Sequence, residues 1–396
     1  MRDARAGALA LLLCVAPLRP AAPAPPAPRK TDLAPPFDVE APTPHRIAMS
    51  IDEAPARDLL ALLTGAPDAP GTLRRLKGYR SVDLALSLEG LSPDDFFGRL
   101  VGSVAGTPDP LLETWARGSQ RSRMLLDMLK ADGSPIAALG ARRVASLLPQ
   151  AKPIAVRLVL VPFFSTAGFA EVAAAPDGDA IYLIADVPRL GGDPSSPASE
   201  REVMLSMLRA VFAKAWKTVF ETSFQKPPLW PDERTPDFET LLSRTVSEGP
   251  ATLFLFPDEF FPIGSLLEEP IGRAFLRWNR LAEILTDPKK KESERRDALA
   301  EPSGADFWRR SASIVGAAMT EVILRRDGRE AFLQALASGP RAVVSLYEKE
   351  AQKDKRLPQL GAAAKKALDH GPISTPAPSI PRAAPGAEPT KAPSSQ

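Results

Sequence analysis

Apolar residues recur at helical spacing through most of residues 46–366, which predicts a mainly helical protein. The clearest case is Ser199–Glu221, where positions 204, 207, 208, 211, 212 and 215 are apolar. Ser199 and Glu202 have the spacing of a capping box at the start of this helix. Apolar spacing and Gly or Pro boundaries predict further helices near residues 52–63, 92–104, 109–131, 135–148, 237–256, 271–286, 307–326, 329–337 and 341–351.

Two segments have a different pattern and predict strands. Ile154–Phe164 and Ala180–Asp186 are rich in β-branched residues and too short for buried helices. Pro176–Asp179 has the composition of a turn, and nothing downstream completes a calcium-binding loop around it. The sequence therefore predicts an α+β fold that is mostly helical. An all-helical N-terminal region, residues 46–150, is expected to precede a mixed region, residues 151–366.

The N-terminal residues resemble an export signal. Arg2 and Arg5 precede an apolar run, Ala6–Ala16, that is too short to span a bilayer as a helix. We expect residues 1–24 to be a signal peptide, although Pro25 follows the small-residue cleavage site directly. Cys14 follows a leucine rather than a small residue, so lipid attachment there is not expected. The predicted location is periplasmic or extracellular, with no transmembrane segment beyond the signal.

Proline-rich segments flank the predicted folded part. Seventeen of the 43 prolines lie in the first 45 and the last 30 residues. Residues 25–45 are predicted to be an extended Pro/Ala-rich tether, and residues 367–396 a disordered tail.

Composition narrows the possible chemistry. The 50 Lys and Arg residues nearly balance the 48 Asp and Glu residues, which gives no electrostatic reason to expect a nucleic-acid partner. One cysteine and two histidines, His45 and His370, exclude a disulfide framework and a His-rich metal site. The sequence has no G-x-S-x-G elbow, no Walker-type phosphate loop and no G-x-G-x-x-G turn.

Three segments resemble the gluzincin-type zinc-dependent peptidases found among bacterial secreted proteins. Ser199–Arg209 is similar to the helix that carries HExxH in those proteins. Thr245–Ala251, which contains Glu248-Gly249-Pro250-Ala251, resembles their EGxA segment with the third zinc ligand. Val315–Tyr347 is similar to their closing helices. The resemblance implies a zincin-like domain over residues 151–366, with a small sheet packed on the motif helix.

The same resemblance implies a degenerate site. In HExxH, two histidines one turn apart share a zinc ion and the glutamate acts as general base. The corresponding residues here are Arg201, Glu202 and Leu205, and only the glutamate remains. Arg201 and Leu205 have no lone pair to offer a metal. Glu248, at the position of the third ligand, cannot hold zinc by itself. We therefore expect no metal, no cofactor and no zinc-dependent catalysis.

Two interpretations of these glutamates remain open. In one, Glu248 still points at the former metal position and pairs there with Arg201, because a buried unpaired carboxylate is costly. In the other, Glu202 only completes a capping box and Glu248 caps a helix break at Gly249-Pro250. A glycosidase pair of Glu202 and Glu248 is also compatible with the sequence.

The sequence predicts an exported zincin-like protein that is not an active peptidase and that binds a peptide or protein partner. The alternatives are a helical envelope scaffold without peptidase ancestry and a hydrolase that uses unrecognised residues. The aromatic residues Phe254, Phe256, Phe260 and Phe261 are expected either to line a peptide groove or to pack in the core. The sequence does not indicate an oligomeric state.

Overall fold

A computed structural model describes residues 47–88, 90–117, 119–149, 154–161, 172–177, 180–186, 200–225, 230, 237–255, 268–300 and 307–369. The expected signal peptide and tether lie outside these residues, as do Cys14, His45 and His370. The predicted disordered tail is wrong at its start, because residues 367–369 belong to a helix, and its remaining residues lie outside the described part. The described chain is mostly helical with one small sheet, which confirms the α+β prediction. Among the described helices, none is long and apolar enough to cross a membrane.

Six described helices precede the main part of the sheet. They are α1 (Ala54–Leu63), α2 (Ala69–Gly78), α3 (Arg80–Leu88), α4 (Pro93–Val104), α5 (Pro110–Arg117) and α6 (Ser119–Ser146). The predicted helix boundary near residue 133 is wrong, because α6 continues through Gly133 and Pro135 as one helix.

The sheet contains four described strands, β1 (Ile47–Asp52), β2 (Ile154–Val161), β3 (Val172–Asp177) and β4 (Ala180–Asp186). Their order is β1-β2-β4-β3, with β1, β2 and β4 parallel and β3 antiparallel to β4. The region before residue 150 is therefore not all-helical, because it supplies β1. The predicted turn at Pro176–Asp179 is wrong at its start, because Pro176 and Asp177 belong to β3, and Gly178 and Asp179 lie outside the described residues.

The two faces of the sheet contact different helices. Val156 and Leu158 belong to the large core cluster, which includes residues of α6 and α7. Val159, next in the chain, belongs to a second cluster formed mainly by α1–α5. Since neighbouring residues of a strand point to opposite faces, the sheet separates two apolar cores. The sheet therefore joins the N-terminal helices to the rest of the fold.

Eight described helices follow the sheet. They are α7 (Glu200–Ser223), α8 (Phe238–Leu253), α9 (Glu268–Thr286), α10 (Glu292–Leu299), α11 (Ser311–Arg326), α12 (Gly328–Ala337), α13 (Pro340–Lys353) and α14 (Ala362–Asp369), with a short 3-10 turn at Phe307–Arg309. Helix α7 packs against β2, β3 and β4, as predicted for the motif helix. Ser199, its predicted cap, lies outside the described residues.

Buried aromatic rings fix α7 and α9 in the core. Trp216 of α7 stacks on Phe220, and its indole nitrogen donates to the Leu147 carbonyl at 3.0 Å. Trp278 of α9 donates to the Thr245 hydroxyl at 2.8 Å. Both tryptophans are fully buried, so they anchor their helices with their polar atoms satisfied.

Candidate functional site

Helices α8 and α11 make the most extensive contact among the described helices, and two glycines allow it. A Cβ atom on Gly249 would lie 2.2 Å from the carbonyl carbon of Gly316. A Cβ atom on Gly316 would lie 1.9 Å from the carbonyl oxygen of Thr245. Both contacts are with backbone atoms, which cannot rotate aside as the end of a flexible side chain can. The glycine after Glu248 is therefore required by helix packing.

The helix break predicted at Glu248-Gly249-Pro250 is wrong. Helix α8 continues through Pro250 to Leu253. A proline inside a helix removes one backbone hydrogen bond, and here the remaining bonds and the packing against α11 keep the helix intact. Glu248 therefore does not cap a break, and its side chain is available for contacts with neighbouring helices.

The Glu248 carboxylate accepts hydrogen bonds from two other helices. Lys217 of α7 donates to Oε1 at 3.1 Å, and the Ser313 hydroxyl of α11 donates to Oε2. Ser313 lies one turn before Gly316, so the close approach of α11 brings its hydroxyl to Glu248. The side chain of Glu248 keeps 25% of its surface exposed and that of Lys217 keeps 31%. The cluster of Lys217, Glu248 and Ser313 is thus partly open to solvent.

The electrostatics of this cluster favour an ionised carboxylate. Burial by itself would raise the pKa of Glu248, but the charge of Lys217 and hydrogen bonds from Ser313 and Lys217 lower that pKa below its ordinary value. The charge of Arg244, one turn earlier on α8, acts in the same direction. Glu221, one turn later on α7, lies 3.7 Å from the Lys217 ammonium. The ammonium of Lys217 is therefore close to two carboxylates.

A second lysine lies on the same face of α7. Burial, together with the nearby charge of Lys217, lowers the pKa of Lys214. Residues 214 and 217 are one turn apart, so their side chains project from neighbouring positions of one helix face. Two lysines therefore lie one turn apart on the side of α7 from which Lys217 contacts Glu248.

The residues around Glu248 do not fit a zinc ion. Zinc is held by thiolate, imidazole and carboxylate lone pairs, and an ammonium group has none to offer. Lys217 and Ser313 donate to the two oxygens of Glu248, and the charge of Lys217 would repel a dication. Within the described ranges, no group of three or more His, Cys, Asp or Glu side chains is placed to hold a metal.

The residues of the predicted motif are only partly described. Arg201, Glu202 and Leu205 lie in the first two turns of α7, and their side chains lie outside the described part. The Arg201–Glu248 ion pair and the Glu202–Glu248 pair therefore stay predictions. Arg201 is sixteen residues from Lys217, or about 24 Å along the axis of an ideal helix. Of the predicted aromatic groove, Phe254 is described and partly buried, whereas residues 256–261 are not described.

Sequence reasoning identified Glu248 but missed Lys217, Ser313 and Lys214. One available signal was the pattern of α7, because lysines at 214 and 217 interrupt an otherwise apolar region. The glycine at 316 was a second signal, since it follows Ser313 by one helical turn. Neither signal by itself indicates which residue Glu248 contacts.

Comparison with known families supports part of the resemblance. Residues 231–356 match the model of a family described as "Putative zinc dependent peptidase", which confirms the predicted resemblance over about a third of the chain. The match includes the Glu248-Gly249-Pro250-Ala251 segment and the helices α11 and α12. It does not reach Arg201–Leu205 or any other residue of α7. No curated protein and no solved structure matches the chain.

Proposed function

We propose that this protein is an exported, zincin-like relative of zinc peptidases that does not bind zinc and does not cleave peptides. Its partly exposed surface around Lys217, Glu221 and Glu248, between α7 and α8 and called the cleft from here on, binds a peptide or protein partner in the periplasm or outside the cell. The match over residues 231–356 supports the relationship. The packing of the sheet on α7, with Glu248 facing that helix, supports a zincin-like arrangement.

One observation carries the proposal, namely the ammonium group of Lys217 at 3.1 Å from Glu248. A metallopeptidase needs a cation with free coordination positions, which polarises a carbonyl and activates a water molecule. An ammonium bound to a carboxylate supplies charge but no coordination position. The cleft can therefore hold polar groups of a ligand without the means to generate a metal hydroxide.

The partner-binding part of the proposal rests on accessibility. Lys217, Glu221 and Glu248 keep 31%, 39% and 25% of their side-chain surfaces exposed. Charged groups of both signs beside an accessible cleft can bind the amide and carboxylate groups of a peptide. We propose a peptide segment as the occupant because the cleft belongs to a peptidase-related arrangement.

The export part of the proposal rests on the N-terminal sequence alone, with Arg2 and Arg5 before an apolar run. Fusion of residues 1–45 to a reporter enzyme that folds only after export tests this part. Activity of the reporter is expected, and its absence would contradict an exported location without affecting the proposal for the cleft.

Metal analysis and a proteolysis assay on the purified full-length chain test the loss of peptidase function. We expect less than 0.1 zinc ion per chain and no cleavage of casein, with or without added zinc. Stoichiometric zinc and chelator-sensitive cleavage would overturn the proposal. Cleavage that a chelator does not affect would instead favour the hydrolase alternative, in which residues such as Ser313 would carry the chemistry.

Peptide binding is tested on an array of overlapping casein peptides, followed by mass spectrometry of the bound material. The expected result is a subset of peptides that bind and are recovered intact. A Glu248→Gln/Lys217→Met variant, which keeps similar side-chain volumes, serves as the matched control and should bind more weakly. Equal binding by both proteins would show that the cleft is not the binding site.

A further inference from the structure

Helical periodicity determines which residues of α7 lie on the same side of the helix as Lys217. Lys217 contacts Glu248, and Ala213, Lys214 and Glu221 lie three or four residues away, on the same side of the helix. These four residues are partly exposed, whereas the residues between them are mostly buried, namely Ala215, Trp216, Thr218, Val219 and Phe220. Lys217, which contacts Glu248, therefore belongs to the accessible stripe of α7.

A metal held jointly by α7 and Glu248 would need its α7 ligands on this stripe. Two ligands one turn apart must project beside the carboxylate, as in HExxH, where residues i and i+4 share the ion. A pair at the correct height includes Lys217, because Lys217 already lies within hydrogen-bond distance of Glu248, and Ala213 is its partner one turn earlier, as the first histidine of HExxH precedes the second. Arg201 lies about 24 Å further along the axis, so the turn Arg201–Leu205 is too distant.

We infer that the lost metal position of this fold lies at Ala213–Lys217, and that the ammonium of Lys217 stands there in place of the cation. The inference deepens the proposed function and rests on it. The five residues Ala213-Lys214-Ala215-Trp216-Lys217 correspond in order to HExxH. Ala213 offers no donor, Lys214 replaces the general base with a cation, and Lys217 replaces the second histidine.

The substitution explains the balance of charge in the cleft. Glu248 has lost the counterion that a metal would supply, and a carboxylate at a largely buried site needs a cation nearby. Lys217 meets that need from the helix itself, with Glu221 as its second neighbour. Lys214 provides a further positive charge, which excludes a free dication more strongly. The cation is thus covalently attached to the fold and cannot be removed by a chelator.

Restoring the motif in two different places tests the position directly. The variant Ala213→His/Lys214→Glu/Lys217→His recreates HExxH beside Glu248, and Arg201→His/Leu205→His recreates it around Glu202. Both are made in the full-length chain and titrated with Co²⁺, whose visible spectrum reports tetrahedral coordination, and with Zn²⁺ by calorimetry. Only the first is expected to bind one ion per chain, at least 100-fold more tightly than the unsubstituted protein. Adding Glu248→Gln should weaken that binding at least tenfold.

Each outcome decides the inference. Tight, Glu248-dependent binding by the Arg201→His/Leu205→His variant would overturn it, and so would a folded first variant that binds no metal. These results leave the proposed function intact as long as the unsubstituted protein is free of zinc, and stoichiometric zinc in that protein would overturn the proposed function instead.

A single substitution covers the case in which the triple variant does not fold. Millimolar Zn²⁺ is expected to raise the melting temperature of Lys217→His but not that of Leu205→His. Equal shifts in the two variants, or no shift in Lys217→His, would contradict the assigned position.

Discussion

Replacing Gly316 with alanine would place a methyl group in the contact between the α8 and α11 backbones. The added Cβ would lie 1.9 Å from the Thr245 carbonyl oxygen, whereas ordinary van der Waals contact begins at 3.4 Å. The helices would have to separate by about 1.5 Å. Overpacking of this kind costs about 1 to 3 kcal/mol.

The separation would also affect the site. Ser313 lies one turn from Gly316 and donates to Glu248, so moving α11 would stretch this bond. A hydrogen bond to a charged group contributes about 1.5 to 3 kcal/mol. Alanine recovers at most about 1 kcal/mol through its better helix propensity. The net loss of unfolding free energy is therefore expected to be about 1.5 to 5 kcal/mol.

Urea denaturation followed by the fluorescence of the buried tryptophans Trp216 and Trp278 measures this loss. Gly98→Ala in α4 is the matched control, because Gly98 is exposed in a helix and nothing lies within 4 Å of an added Cβ. The control should be neutral or stabilised by up to about 1 kcal/mol. If Gly316→Ala proved as stable as this control, the close approach of α8 and α11 would be refuted.

Two further substitutions test the ion pair and one buried hydroxyl. Lys217→Met should lower the stability by about 1 to 2 kcal/mol at pH 7, since both partners are partly exposed. The lowered pKa of Glu248 gives the unsubstituted protein stability that is full above pH 4.5 and is lost as the pH falls below it. Lys217→Met removes a cause of the lowered pKa and should make this acid loss smaller, and Glu248→Gln should abolish it, as urea titrations between pH 3 and 8 would show. An unchanged acid profile in Lys217→Met would contradict the ion pair. Tyr347→Phe removes the bond from the buried Tyr347 hydroxyl to the Pro358 carbonyl at 2.8 Å, and calorimetry should show a loss of about 1 kcal/mol. A neutral result would show that this carbonyl finds another donor.

Helices with a clear apolar period could be predicted from the sequence, whereas two strands could not. The strand β1 has the sequence IAMSID, and β3 has VAAAPD, so neither contains a run of β-branched residues. Segments without such a run form a strand only when a neighbouring strand supplies the hydrogen bonds. For β1 that neighbour is β2, which is distant in the sequence.

The position of the site could be predicted only in part. Glu248-Gly249 was recognised because the motif is local, but its glycine was interpreted as a helix break rather than a contact with α11. Helix α7 is 24 residues long, and its side chains return to the same face every turn. Several turns could therefore have carried the motif, and only the contact of Lys217 with Glu248 distinguishes them.

The pairing of β1 with β2 has a consequence for the order in which the molecule can fold. About 100 residues separate the end of β1 at Asp52 from the start of β2 at Ile154. In a chain that is synthesised from its N-terminus, Ile47–Asp52 has no partner strand until β2 has been made. Partners so distant in sequence meet slowly, because a long loop must close first. Completion of the sheet is thus a late event. Until then, helices α1–α5 lack the face of the sheet against which the second core cluster packs.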